Sequence, residues 1–243
     1  MQQSWIIRAA ALAALLAGSS ALATDSSAPV QAFQADYQVL RNGKELGHAT
    51  LALRPAGNGT WEFSNHTQGT KGMASLLGLD VAEKSSFRWN DGQPQGLNYT
   101  YSQEAAVKSR RRSTQFDWNA REAHSDDGKD SWIAPLRGNA MDRSLVTVAL
   151  MSVLKSGATT ATFPVVDKDH VGEQRYDIGR RESLSLPAGS IDAVRVDRLR
   201  DGDSKRTTTS WFAPQRNWLP VQIEQVEKNG DTITMRLASV PHG

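Results

Sequence analysis

Four groups of residues in this chain have the type and spacing that could do chemistry: histidines, a serine one helical turn from a lysine, a knot of carboxylates and a basic run. His48, His66, His124, His170 and His242 are scattered, with no i, i+4 pair and no HExxH, so a helical zinc site has no support. "DKDHVGEQ" (Asp167 to Gln174) starts like a calcium loop, but Val171 and Ile178 stand where the fifth and twelfth positions need oxygen ligands. Ser152 and Lys155 match the S-x-x-K pattern, in which the lysine activates the serine, yet no K-T-G companion or G-x-S-x-G elbow accompanies them. Glu122, Asp126, Asp127 and Asp130 crowd together, but a retaining glycosidase needs two carboxyls about 5 Å apart across a cleft; this cluster reads as a solvated hairpin tip. No catalytic residue, metal ligand or cofactor is assigned, and the expectation is a protein that is not an enzyme.

Three features point instead to binding. In "KSRRRS", strand geometry sends Lys108, Arg110 and Arg112 one way and Arg111 the other, a cationic stripe suited to lipid phosphate or acidic polysaccharide, or else an ordinary exposed sheet face. In "GMASLLGL", Met73, Leu76 and Leu77 share one side of a single helical turn, as a hydrophobic lid or as a core plug. In "SWFAPQRNWLPVQI", most of the apolar content alternates as strand wall, and Trp218 beside the turn is left as the surface candidate. The candidate ligand-binding residues are therefore Met73, Leu76, Leu77, Lys108, Arg110, Arg112 and Trp218.

The elements that must position them are mostly strands. Phe33, Ala35, Tyr37 and Val39 alternate ahead of an Asn42-Gly43 turn, and Leu219, Val221 and Ile223 face Ile233, Met235 and Leu237 across Asn229-Gly230. One stretch, "DRSLVTVALMSVLKSG", has helical spacing, with Asp142 as cap and Gly157 as stop. The fold class expected is mainly β: an antiparallel meander forming a curved sheet or half-open barrel, with one longer helix, about residues 142–155, packed against it.

The first residues carry Arg8, an apolar run from Ala9 to Leu16 and the triplet Ala21-Leu22-Ala23, the layout of a signal peptide cleaved after Ala23. Residues 24–31 are expected to be a flexible lead-in and 32–240 one β-rich domain. The apolar run is shorter than the roughly 18 residues a transmembrane helix needs, so no transmembrane segment is expected. The chain has no cysteine, which excludes disulfides, thiol catalysis and a lipidated cysteine. A formal charge of only +2 makes a nucleic-acid partner a poor match.

"YQVLRNGKELG" (Tyr37 to Gly47), "LSLPAGSIDAVRV" (Leu184 to Val196) and "WFAPQRNWLPVQI" (Trp211 to Ile223), with "DRSL" from Asp142, together resemble the bacterial envelope family known as domain of unknown function 3108. The likeness spans nearly the whole mature chain. It implies a periplasmic, signal-bearing, mostly antiparallel β protein and carries no catalytic residues. The expected function is a periplasmic, non-enzymatic protein binding a lipid or other envelope-derived amphipathic molecule, or an envelope protein partner, in or on the curved sheet. The alternatives are an envelope glycan- or acyl-hydrolase, which requires a histidine or two carboxylates converging in a cleft, and a carbohydrate-binding module, which requires coplanar exposed tryptophans.

Overall fold

The computed structural model describes residues 28–76, 78–106, 109–200 and 204–240. The export segment expected over residues 1–23, together with Leu77 and Lys108, lies outside the described residues.

Eight strands come first: β1 (Phe33–Arg41), β2 (Lys44–Gly57), β3 (Thr60–Gly69), β4 (Asp80–Asn90), β5 (Gln93–Glu104), β6 (Arg110–Asp117), β7 (Glu122–Asp126) and β8 (Ser131–Pro135). A short helix, α1 (Gly72–Leu76), interrupts the β3 to β4 connection, and a longer one, α2 (Val146–Lys155), follows β8. Six more strands complete the chain: β9 (Thr160–Asp167), β10 (His170–Leu186), β11 (Gly189–Leu199), β12 (Thr207–Ala213), β13 (Leu219–Val226) and β14 (Thr232–Ser239).

Each run of strands is a meander, and the two meanders join where β1 pairs with β14, Tyr37 standing opposite Leu237. All fourteen strands thus form one antiparallel sheet with β8 and β9 at its edges. Two-residue turns with both residues left-handed, Asn42-Gly43 (φ 51° and 75°) and Asp91-Gly92 (φ 50° and 74°), match the twist of the flanking strands and fix their register. The chain between β8 and α2 fills the seam between the sheet edges. There the Met141 N–H donates to the Pro164 carbonyl at 3.1 Å and the Met141 carbonyl accepts from the Val166 N–H at 2.9 Å. Arg137 donates across the same seam to the Val171 carbonyl at 2.6 Å. The sheet is thereby curled into a nearly closed barrel, as the alternation of the strands led one to expect.

The helix lies inside this barrel. Val146, Val148, Ala149, Leu150, Met151 and Leu154 are all buried, more than one face of a helix can account for, because strands surround it. They pack with inward residues of both meanders, including Leu51, Phe63, Phe87, Val196 and Leu237, in one core. The helix begins four residues later than the sequence suggests. The Asp142 Oδ1 accepts the N–H groups of Ser144 (2.9 Å) and Leu145 (3.2 Å), which closes a turn ahead of Val146. Ahead of β1, Val30 is buried in the core and the Lys155 ammonium donates to the Pro29 carbonyl at 3.2 Å.

Because neighbouring strands run in opposite directions, the connections alternate between the barrel's two ends. Those joining β1–β2, β3–β4, β5–β6, β7–β8, β9–β10, β11–β12 and β13–β14 form one rim, and α2 starts below that rim and runs toward the opposite end.

Candidate binding cavity

The inward-facing rows of several strands change character in the same direction. On β11 the buried Val196 is followed at strand spacing by Arg198 and then by Arg200, just past the strand's end. On β4 the fully buried Phe87 gives way to Ser85 and Glu83, and on β3 Phe63 gives way to Asn65. On β13 Ile223 precedes Gln225, while Ser210, Thr208 and Arg206 line up along β12. The rows of β3, β4, β11 and β13 are apolar beside α2 and polar at the rim, and that of β12 is polar along its whole length here.

Between the rim and the first turn of α2 they enclose a cavity in two adjoining compartments. The inner one, about 420 Å³, is floored by Val146, Thr147 and Leu150 of α2 and walled by Leu51, Phe63, Tyr176, Ile223 and Met235. The outer one, about 300 Å³, sits at the seam between the sheet edges, among Tyr99, Arg112, Asp126, Trp132, Lys168 and Asp142. Arg143, Gln174, Arg198, Arg200 and Arg206 border both. These volumes fall at the lower end of the roughly 300–1,000 Å³ typical of small-molecule sites.

The arginines divide by partner. Arg143 donates through Nε to Glu83 at 2.9 Å and to the Tyr99 hydroxyl at 3.0 Å, and its guanidinium lies 4.9 Å from the Tyr101 ring centroid. Burial alone would lower the Arg143 pKa, but the Glu83 carboxylate outweighs it and raises the group further. Arg206 is ion-paired with Glu227, Nε to Oε2 at 3.0 Å. Arg198 and Arg200 have no acidic partner among the described residues, and the Nε of each is buried without a hydrogen bond. Arg200 keeps one contact, to the Thr208 hydroxyl at 3.1 Å. Its pKa is lowered by burial and by the charges of Arg198 and Arg206. Burial pushes the facing Tyr176 hydroxyl up to about 12.

Asp142, at the base of the outer compartment, is buried and its carboxyl is pushed up to about 7 by that burial. The Ser85 hydroxyl donates to its Oδ1 at 2.8 Å, and its Oδ2 is buried without a partner.

Of the residues singled out in the sequence, Arg112 lines the outer compartment and Arg110 is exposed on the rim side of β6. Met73 and Leu76 of α1 are 65% and 78% exposed and line neither compartment, so their side chains are not a core plug. Trp218 packs half-buried against the core and is also absent from the cavity wall. Arg143, Arg198, Arg200 and Arg206 were missed. Their signal is the row Val196-x-Arg198-x-Arg200, in which arginines continue an inward apolar alternation.

The other chemical candidates disperse. The Ser152 hydroxyl donates to the Gly92 carbonyl at 2.7 Å while Lys155 holds Pro29, so the S-x-x-K pair is spent on two different loops. "DKDHVGEQ" is a tight hairpin turn between β9 and β10 rather than an ion loop. Asp127 accepts the N–H groups of Lys129 and Asp130, each at 3.1 Å, within its own hairpin tip. His66 bonds Asp80 at 2.9 Å on the outward face of the barrel, both side chains nearly half exposed, and that pair lies outside both compartments. Trp61 and Trp89 meet edge to face at 6.2 Å and 70° rather than coplanar, and Trp211 is buried with its Nε1 bonded to Glu182 at 2.9 Å.

A nearly closed antiparallel barrel with a helix inside and a cavity at one end is the class of protein these features define. The chain belongs to the family described as "Protein of unknown function (DUF3108)", whose model matches residues 33–238. Its fold is similar to that of a beta-barrel-like protein of domain of unknown function DUF1849 from Brucella abortus, with a TM-score of 0.57 at 10% identity over 88% of this chain and 98% of that one. No curated protein matches the sequence.

Proposed function

We propose that this chain is an exported envelope protein, non-enzymatic, that holds one amphipathic molecule in the barrel cavity, its apolar part against α2 and its polar part among the rim arginines. The observation carrying this reading is the shared gradient of the inward rows, from Val196, Phe63 and Ile223 beside the helix to Arg198, Asn65 and Gln225 at the rim. A cavity graded in that way matches a molecule with one apolar and one polar end. The export layout of residues 1–23 supports placement in the periplasm.

The test is the fluorescence of N-phenyl-1-naphthylamine, a neutral apolar probe that brightens on leaving water. Wild-type protein is expected to brighten it saturably, and Leu150→Trp or Ile223→Trp, which fill the inner compartment, to abolish the effect while leaving the far-UV circular dichroism spectrum unchanged. Brightening that survives both substitutions, or none with wild type, overturns the reading.

A further inference from the structure

We propose that Arg198 and Arg200 form an oxyanion subsite that receives a phosphoryl group. The subsite is the polar end of the amphipath cavity and rests on that reading only for what is attached to the phosphoryl group.

Two guanidiniums two residues apart on one strand face stand about 7 Å apart at their Cα atoms. In this barrel they share an inward row, border both compartments and lack an acidic partner among the described residues. Each also has a buried Nε with no acceptor. A buried donor without an acceptor costs stability and in native structures calls for an explanation, an unfilled ligand position being one. The flanking arginines need no further anion: Arg143 is neutralised by Glu83 and Arg206 by Glu227. Among the described residues the site therefore presents two guanidiniums with no carboxylate in ion-pair contact, Glu227 acting on Arg200 only at longer range. A carboxylate or sulfate ester would balance one of them, whereas a phosphate monoester carries nearly two negative charges near neutral pH and three acceptor oxygens, matching two arginine forks. The outer compartment, which both arginines also border, is lined by Asp126, Asp127, Asp142 and Asp167, none of them in ion-pair contact with Arg198 or Arg200, and Glu83, the acid lining the inner compartment among the described residues, is already bonded by Arg143 and Tyr99.

The test is isothermal titration calorimetry of the mature chain with monododecyl phosphate, dodecanoate, dodecyl maltoside and inorganic phosphate, on wild type, R198Q/R200Q and R198K. Wild type is expected to bind monododecyl phosphate roughly 10- to 100-fold more tightly than dodecyl maltoside, the increment of a charge-assisted pair. R198Q/R200Q should lose that preference while keeping its affinity for dodecyl maltoside, and R198K should retain part of it. The melting temperature of the double variant should not fall below that of wild type, since the change removes like-charge repulsion. Inorganic phosphate that binds wild type but not the double variant, while no dodecyl compound binds, would keep the phosphoryl subsite and discard the amphipath. Equal binding of monododecyl phosphate and dodecyl maltoside would overturn the subsite and leave the amphipath reading standing. Dodecanoate binding as tightly as monododecyl phosphate, equal loss of all ligands in R198Q/R200Q with a lowered melting temperature, or no binding of any of them also overturns the subsite.

Discussion

Replacing Asp142 by asparagine isolates the cost of keeping a carboxylate in the barrel. The Asp142 carboxyl is buried and titrates near 7 rather than at its ordinary 3.8, burial being the main cause and the hydrogen bonds from Ser85, Leu145 and Ser144 opposing it. A carboxyl whose pKa is higher in the folded than in the unfolded chain binds more protons when folded. Its effect on stability is absent below the unfolded value, grows unfavourably as pH rises from about 4, and is complete just above pH 7. Across about three pH units, at about 1.4 kcal/mol each, the loss attributable to this group is about 4 kcal/mol. The asparagine side chain of the variant would keep an oxygen for the three donors and carry no charge, but its amide would meet the place where Oδ2 has no partner, costing roughly 1–3 kcal/mol. Wild type carries less than about 1 kcal/mol of that loss at pH 4 and all of it at pH 8, so Asp142→Asn should be less stable than wild type at pH 4 and more stable at pH 8. Urea unfolding of both proteins at half-unit steps between those values reads the crossover. Subtracting one curve from the other removes the other carboxylates, such as Glu62 and Asp231, whose lowered pKa values act in acid. A wild-type-minus-variant difference that stays flat from pH 5 to 8 would refute the reasoning.

Two further substitutions probe the walls. A Cβ on Gly47 would sit 1.9 Å from the Gln68 carbonyl oxygen on the paired strand, so Gly47→Ala should cost at least about 3 kcal/mol in urea unfolding, because backbone rather than a flexible side chain must move. Met73→Ser with Leu76→Ser should change stability by no more than about 0.5 kcal/mol, since both side chains are exposed, whereas Leu150→Ala in the barrel core should cost about 2–5 kcal/mol; equal effects would contradict the placement of α1.

The strands and their turns were legible because each relies on local chemistry. Asn42-Gly43 and Asp91-Gly92 each put two left-handed residues between alternating apolar rows, which places the hairpin turns, whereas the register shifts at Val39/Leu40 and Ser86/Phe87 carry no such local mark. Closure was harder to read. The seam depends on Arg137, Ala140 and Met141 meeting strands some tens of residues away, and no periodicity marks such a contact. The interior position of α2 was also hidden: its apolar pattern fits a helix lying on a sheet as well as one surrounded by it, and burial of six of its ten residues, more than one face supplies, decides between them. The cavity arginines escaped for another reason. "KSRRRS" drew attention by its density, but Arg198 and Arg200 matter by parity, each falling where the alternation of β11 calls for an apolar residue. Two large apolar side chains in a single helical turn suggest cover or filling, and the exposure of Met73 and Leu76 speaks against filling alone.

The packing of α2 inside the barrel has a kinetic consequence for the proposed site. Leu150, Met151 and Leu154 pack among core residues of both meanders, so α2 floors the cavity and the arginines line its rim side. If the cavity holds the amphipathic molecule proposed above, an occupant that enters past the arginines would leave by the same rim, and loading and release would take turns there.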